Sequence, residues 1–291
     1  MKSTDIFTSL PDFHNFTDGM MADTTMEQLT PSIRTITQDI IKILSAEVYI
    51  AIVNQTQPEN AEDAKDIDME EALELLKTAV ANGAACKYQI FSSVKKNGSD
   101  ASVYKYQHEE IKEHYQEAYC AAMDRLLDWL DTNPKVGGWE QSDEYKKRQE
   151  LPVKNAAEFD YYYGIGKSAF FFQKVLYLVR QIWKQSIQPV LPAEADSDMT
   201  DLAKQALCYQ VIAQAVMQFD VTELPRSIRY DHNHEYSKGS SMQQRTTLYN
   251  QLMAKVESAM ASIERMKAAA SGAKAIQGSH VEESDKFVSV L

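Results

Sequence analysis

Long segments in which apolar residues return every three or four positions dominate this chain, and helices are the structure that gathers such residues on one face. In the first segment Leu29, Ile33, Ile36, Ile40 and Leu44 keep helical spacing, while Ile41, Val48 and Ile52 widen the stripe. Pro31 falls where a first turn would accept it. A second segment sets Leu73, Leu76, Val80 and Ala84 on one face. Its middle, with Ala79, Ala81, Gly83, Ala84 and Ala85, is small enough for another helix to approach closely. The longest segment, 106–131, carries Ile111, Tyr115, Ala118, Ala122, Leu126 and Leu130 and would form a helix about 40 Å long. Later segments place Phe172, Leu176, Val179, Trp183 and Ile187 inward, then a small apolar helix over 199–219, then Leu248, Leu252, Val256, Ala259, Ile263 and Met266 on a helix ending near Ala270.

Ten glycines and eight prolines in 291 residues argue against a loop-rich β-sandwich, and 44% hydrophobic residues with 25% charged are ordinary for a globular chain. The expected fold is mainly α: a bundle of about six main helices, a short β-hairpin and extended terminal arms. The hairpin is placed at 94–104, where Lys96-Asn97-Gly98-Ser99 has the chemistry of a tight reversal. The expected organisation is an N-terminal arm (1–25), a helical half (26–132), a connection (133–154) rich in Gly and charge, a second helical half (155–270) and a tail (271–291). Both halves show the same order of elements. At an offset of 143, Leu29 pairs with Phe172, Ile33 with Leu176, Ile36 with Val179, Ile40 with Trp183 and Leu44 with Ile187. Later helices need other offsets, and amphipathic helices slide onto one another readily, so duplication and independent helices both stay open.

Forty-two acidic against 30 basic side chains leave a net charge of −12, with a pI near 5.0. General grip on nucleic acid or anionic lipid would work against that repulsion. The longest apolar run, 48–53, is too short for a signal peptide or a membrane span. Cys86, Cys120 and Cys208 lie far apart without ligand spacing and read as buried thiols in a reducing compartment.

No motif establishes catalysis. Gly164-Ile165-Gly166-Lys167-Ser168 ends like a phosphate loop, but Tyr161 stands where the first glycine belongs and the preceding segment is aromatic rather than a strand, so a helix N-terminal turn is the better account. His108 and His114 are six residues apart, with Lys112 where a zinc-peptidase helix needs its second histidine, which indicates a solvated face. His232 and His234 have strand spacing for a metal, yet two ligands do not make a site. No catalytic residue, cofactor or metal site is therefore expected.

Surplus aromatics suggest association instead. Phe170, Phe171, Tyr177 and Trp183 exceed what one inward stripe requires and are candidate interface residues. Past 268–272 the tail ends in Phe287, Val288, Val290 and Leu291, an apolar end able to dock by adding a strand to a neighbour.

The segment Asp12-Phe13-His14-Asn15-Phe16 before Pro31-Ser32-Ile33, the connector with Trp139, the run Val153-Lys154-Asn155-Ala156-Ala157-Glu158-Phe159 and the helix ending at Leu224-Pro225 carry a resemblance. In these features the chain resembles the helical head–tail connector, or adaptor, proteins of tailed bacteriophages and prophages of the Bacteroides group. That resemblance implies a virion structural protein without enzymatic activity, assembled in the host cytoplasm into a homo-oligomeric ring, twelve-fold in the family. The ring would sit between a portal protein and a tail or second connector protein, with DNA passing through as unbound cargo and no membrane contact. The alternative is an all-α cytosolic interaction module unrelated to virions.

Overall fold

The computed structural model describes residues 6–17, 24–58, 60, 64, 67–96, 101–229 and 238–278; side chains are described except at 90–109, 230–241 and 271–278. The described residues contain helices and no strand. They form two compact units, Met1–Leu176 with Asp220–Asp231, and Tyr177–Phe219 with His232–Leu291.

In the first unit, α1 (Leu10–His14), α2 (Met26–Leu44) and α5 (Ala101–Thr132) pack around or beside α4 (Met69–Lys96), with α3 (Ala46–Val53) following α2. Close packing on α4 has the cause its sequence suggests. Ala79, Ala81, Ala84 and Ala85 are fully buried, and a Cβ on Gly83 would stand 2.9 Å from the Ile36 side chain and 3.0 Å from the Tyr119 ring, so this position lets side chains of α2 and α5 pack directly on the α4 backbone.

Several expectations are corrected. Among the described residues the β-hairpin is not found: 94–96 complete α4 and 101–104 begin α5, while 97–100 lie outside the described residues. Extending a formed helix adds a hydrogen bond per residue, whereas an isolated two-stranded ribbon is marginal. A count of about six helices also fails, because α1, α3, α6 (Asp143–Gln149) and α7 (Ala156–Tyr162) are separate elements. The first stripe breaks at Ser45, whose φ of 78° ends α2 and whose hydroxyl accepts from the Val48 amide. Pro31 is interior to α2 rather than in its first turn. Residues 6–17 do not extend as an arm. Phe7 and Phe13 are buried edge to face at 5.1 Å, and Asn82 of α4 donates to the Phe16 carbonyl at 2.9 Å, since three phenylalanines left in water would forfeit their burial.

The segment expected as a surface connection is anchored in the core. Trp139 is fully buried in a 3₁₀ turn (Val136–Gln141), and its indole donates to Asp131 at 2.9 Å; buried Arg148 of α6 pairs with the same carboxylate. Gly137, at φ 53°, lies where a Cβ would come within 2.6 Å of the Val48 backbone.

The second unit begins within α8 (Ala169–Ile182), which passes into a π turn (Trp183–Ile187) and a 3₁₀ turn (Gln188–Val190). Asp196 caps α9 (Ser197–Gln218), accepting from the Met199 amide at 2.8 Å. Its small apolar middle, including Ala206, Leu207, Val211 and Ala215, packs along α10 (Lys238–Gly278), which turns Leu248, Leu252, Val256, Ala259 and Ile263 inward as its spacing requires.

Replacing Gly137 by Ala meets both left-handed backbone strain and a backbone clash, and should cost about 3 kcal/mol or more. Gly138→Ala, at φ 72° with open space around it, should cost only about 1–2 kcal/mol. Denaturant unfolding of the two variants measures the difference; equal losses would show that the approach to α3 is unimportant.

Candidate functional site

A cleft of about 520 Å³ in the first unit is built from α5, the start of α8 and the segment 223–229. Its apolar lining includes Ala118, Ala121, Phe170, Phe171, Leu224 and Pro225. Aspartate 124, on α5, controls one wall. One oxygen of its carboxylate accepts from the Ser168 hydroxyl and from the Phe170 amide, both at 2.8 Å, while Ser168 accepts from the Phe171 amide at 3.1 Å. A carboxylate from another helix thus occupies the amide-rich end of α8, where helices favour negative charge.

The preceding loop uses the same device. Asp160 accepts from the amides of Ile165 and Lys167 at 2.7 and 3.0 Å, holding a turn in which Gly166 and Lys167 have positive φ. The amides of Ile165, Lys167 and Phe170 are taken by the chain's own carboxylates and that of Ser168 by the Ile165 carbonyl, so the Gly-Lys-Ser segment is the helix start its sequence suggested. Burial pushes the Asp124 carboxyl above its usual range, against the two hydrogen bonds that favour its ionised form.

The opposite wall is a strap. A 3₁₀ turn (Val221–Glu223), capped by Asp220, leads to buried Leu224 and Ile228. Arg229 donates to the carbonyls of Thr222 and Leu224 at 2.7 Å each and pairs with Glu113 at 3.2 Å and Glu117 at 3.4 Å. Arg226 forms a two-pronged pair with Glu117, and Lys174 pairs with Glu223 at 3.3 Å. The cations of this cleft are therefore engaged with carboxylates of the same unit.

Other expected positions separate. Phe170 and Phe171 are 4% and 3% exposed, Phe170 meets Tyr119 edge to face at 5.4 Å, and both rings line the cleft. Tyr177 is half exposed and donates to Gln218 at 2.9 Å, and Trp183 is partly buried at the π turn. Phe287, Val288, Val290, Leu291, His232 and His234 lie outside the described residues. His114 is exposed at the cleft edge, as a solvated face requires; the side chain of His108 lies outside the description. The three cysteines are free, Cys86 and Cys208 buried and Cys120 partly so, and burial pushes the thiols of Cys86 and Cys120 up, away from the reactive thiolate. Among the described residues no three His, Cys, Asp or Glu side chains converge as metal ligands, and no helix is long and apolar enough to cross a membrane.

Sequence reasoning passed over Asp124, Glu117, Arg226 and Arg229, since charged residues on a helix face or in a loop have no local signature of partners about 40 to 110 positions away.

These features define an all-α protein whose cleft is cross-tied by its own charges. Residues 40–149 and 171–272 match the model of DUF6712, a family of unknown function, and because the match covers more than half of the chain, the protein belongs to that family. No curated protein and no solved structure matches it.

Asp124→Asn keeps an oxygen to cap α8 without burying a charge. At neutral pH it should be as stable as the parent or more so, whereas Asp124→Ala should lose about 1–2 kcal/mol. An aspartate held above its ordinary 3.8 binds its proton more tightly folded than unfolded, so its contribution falls as pH rises from 3.8 through the folded value; the Asn variant should flatten that decline. Urea titrations across pH test this, and equal losses in Asn and Ala would refute it. Along the strap, Arg229→Ala should cost about 2–3 kcal/mol by leaving partly buried carboxylates and carbonyls unmet. The exposed Arg226 should cost no more than about 0.5 kcal/mol when removed, and denaturation midpoints separate the two cases.

Proposed function

We infer that this protein is a virion structural component, a head–tail connector or adaptor, whose copies form a ring between a portal protein and the tail and let DNA pass through the centre. The reading rests on the resemblance of its boundary and packing motifs to such proteins. One structural observation carries it: the charged groups of the cleft close on one another and on backbone amides, bracing the first unit, while each unit is built on a pair of long helices. Helices α4 and α5 have 28 and 32 residues, and α9 and α10 have 22 and 41. Rods of this kind suit a protein whose work is to keep spacing and transmit contacts.

On this reading the chain is not an enzyme, its partners are further copies of itself, a portal and a tail-side protein, and its place is the virion after assembly in the host cytoplasm. Its acidity suits a lumen that repels DNA and lets it slide. The twelve-fold copy number belongs to the family resemblance.

Electron microscopy of the purified chain, alone and mixed with a portal protein of a tailed phage, tests the proposal. Closed rings seated on the portal's tail-facing end are the expected result. A chain that neither closes into rings nor binds portal over a wide concentration range would refute it.

A further inference from the structure

Charge along this acidic chain is segregated. Helix α10 carries Lys238, Arg245, Lys255, Arg265, Lys267 and Lys274 against only Glu257 and Glu264, a net +4 within a protein of net −12. Residues 59–74 carry eight carboxylates against Lys65 alone. In the described part of that segment, Asp68 caps α4 by accepting from the amides of Glu70 and Glu71, and Glu70, Glu71 and Glu74 are exposed with no cationic partner among the described residues.

Among its described side chains, α10 is buried only as far as Ile263, yet the helix continues to Gly278, about 22 Å further. On that extension Met266 is partly buried and Ala270 exposed, and the two continue the three- and four-residue spacing of Leu252, Val256, Ala259 and Ile263. Arg265, Lys267 and Lys274 give the extension a net positive charge, with Glu264 as its one acid.

We propose that the basic, apolar-striped extension of α10 (264–278) docks on the acidic start of α4 (residues 68–74) of a second copy of this chain. A copy of the same chain is the occupant the charges favour, because it supplies the density of unpaired carboxylates that the extension lacks. An apolar stripe under the cations distinguishes a protein-packing face from one that only tracks phosphates. Two different patches meeting in this way make a heterologous contact, which closes into a ring or runs on as a filament according to its rotation. The contact rests on the ring reading and names the segments that would join its copies; rings that form undiminished from either variant would overturn the contact and leave that reading standing.

Charge reversal tests it on the full-length protein. Lys267→Glu with Lys274→Glu is one variant, and Glu70→Lys, Glu71→Lys and Glu74→Lys is the other; circular dichroism verifies that each folds. Sedimentation or single-particle mass measurement should show the parent chain self-associating, with weaker association in salt. Each variant alone should associate at least about tenfold more weakly, as expected when steering and pairing charges are reversed. An equimolar mixture of the variants should recover association. Carbodiimide crosslinking of mixed heavy- and light-isotope chains should join the two segments between copies. A parent chain that stays monomeric, either variant alone associating like the parent, a mixture without recovery, or crosslinks confined within one copy would each overturn the proposal. So would an α10 variant that loses binding to duplex DNA while its self-association is unchanged.

Discussion

Close approach at the small-residue face of α4 is the constraint on which the first unit depends. Helix axes approach most closely where side chains are short, and α4 supplies fully buried alanines with Gly83 under the side chains of Ile36 of α2 and Tyr119 of α5. Once that spacing is fixed, the larger residues of α5, including Tyr115, Met123, Leu126 and Leu130, fill the space along its inward face. Even the N-terminal residues belong to this packing, because Phe7 and Phe13 gather against α4, whose Lys77 lies over the Phe7 ring and pairs with Asp12 at 3.1 Å.

Aspartates do the second kind of work. Asp124, Asp131 and Asp160 each accept two or more hydrogen bonds that tie a loop or a helix start to its neighbours. A carboxylate can accept several donors at once, and its charge strengthens each bond. Part of the chain's acidity is therefore structural: amides that would have attracted an outside anion already hold an internal one. At Asp124 burial works against this arrangement by disfavouring the charge that makes the cap strong.

Helical spacing was legible wherever it was sustained. The inward faces of α2, α5, α9 and α10 follow the repeats read from their residues, because a stripe of period near 3.6 has one way to be buried along its length. Hairpin chemistry at Asn97-Gly98 misled for a corresponding reason: a reversal signal says that the chain turns, and the elements on either side decide whether strands or helices meet there. At Phe170 and Phe171 the excess of rings does not say how many faces of a helix the fold will cover, and the packing buries both. In the cleft, the start of α8 was legible from Gly166 and Ser168, while its capping carboxylate, 44 to 46 positions earlier on α5, was not.

The sequence by itself determined the helical class, the inward stripes, the small-residue contact on α4 and the uneven distribution of charge, because each depends on spacing or composition within one segment. Only the tertiary structure decided that Asp124 caps α8, that Arg229 ties the strap to α5, that Trp139 and Arg148 share Asp131, and that α10 extends beyond its buried stripe. Those depend on which distant groups meet. A charged side chain carries no local record of its partner: it finds one only when the packing of apolar faces has brought the helices together.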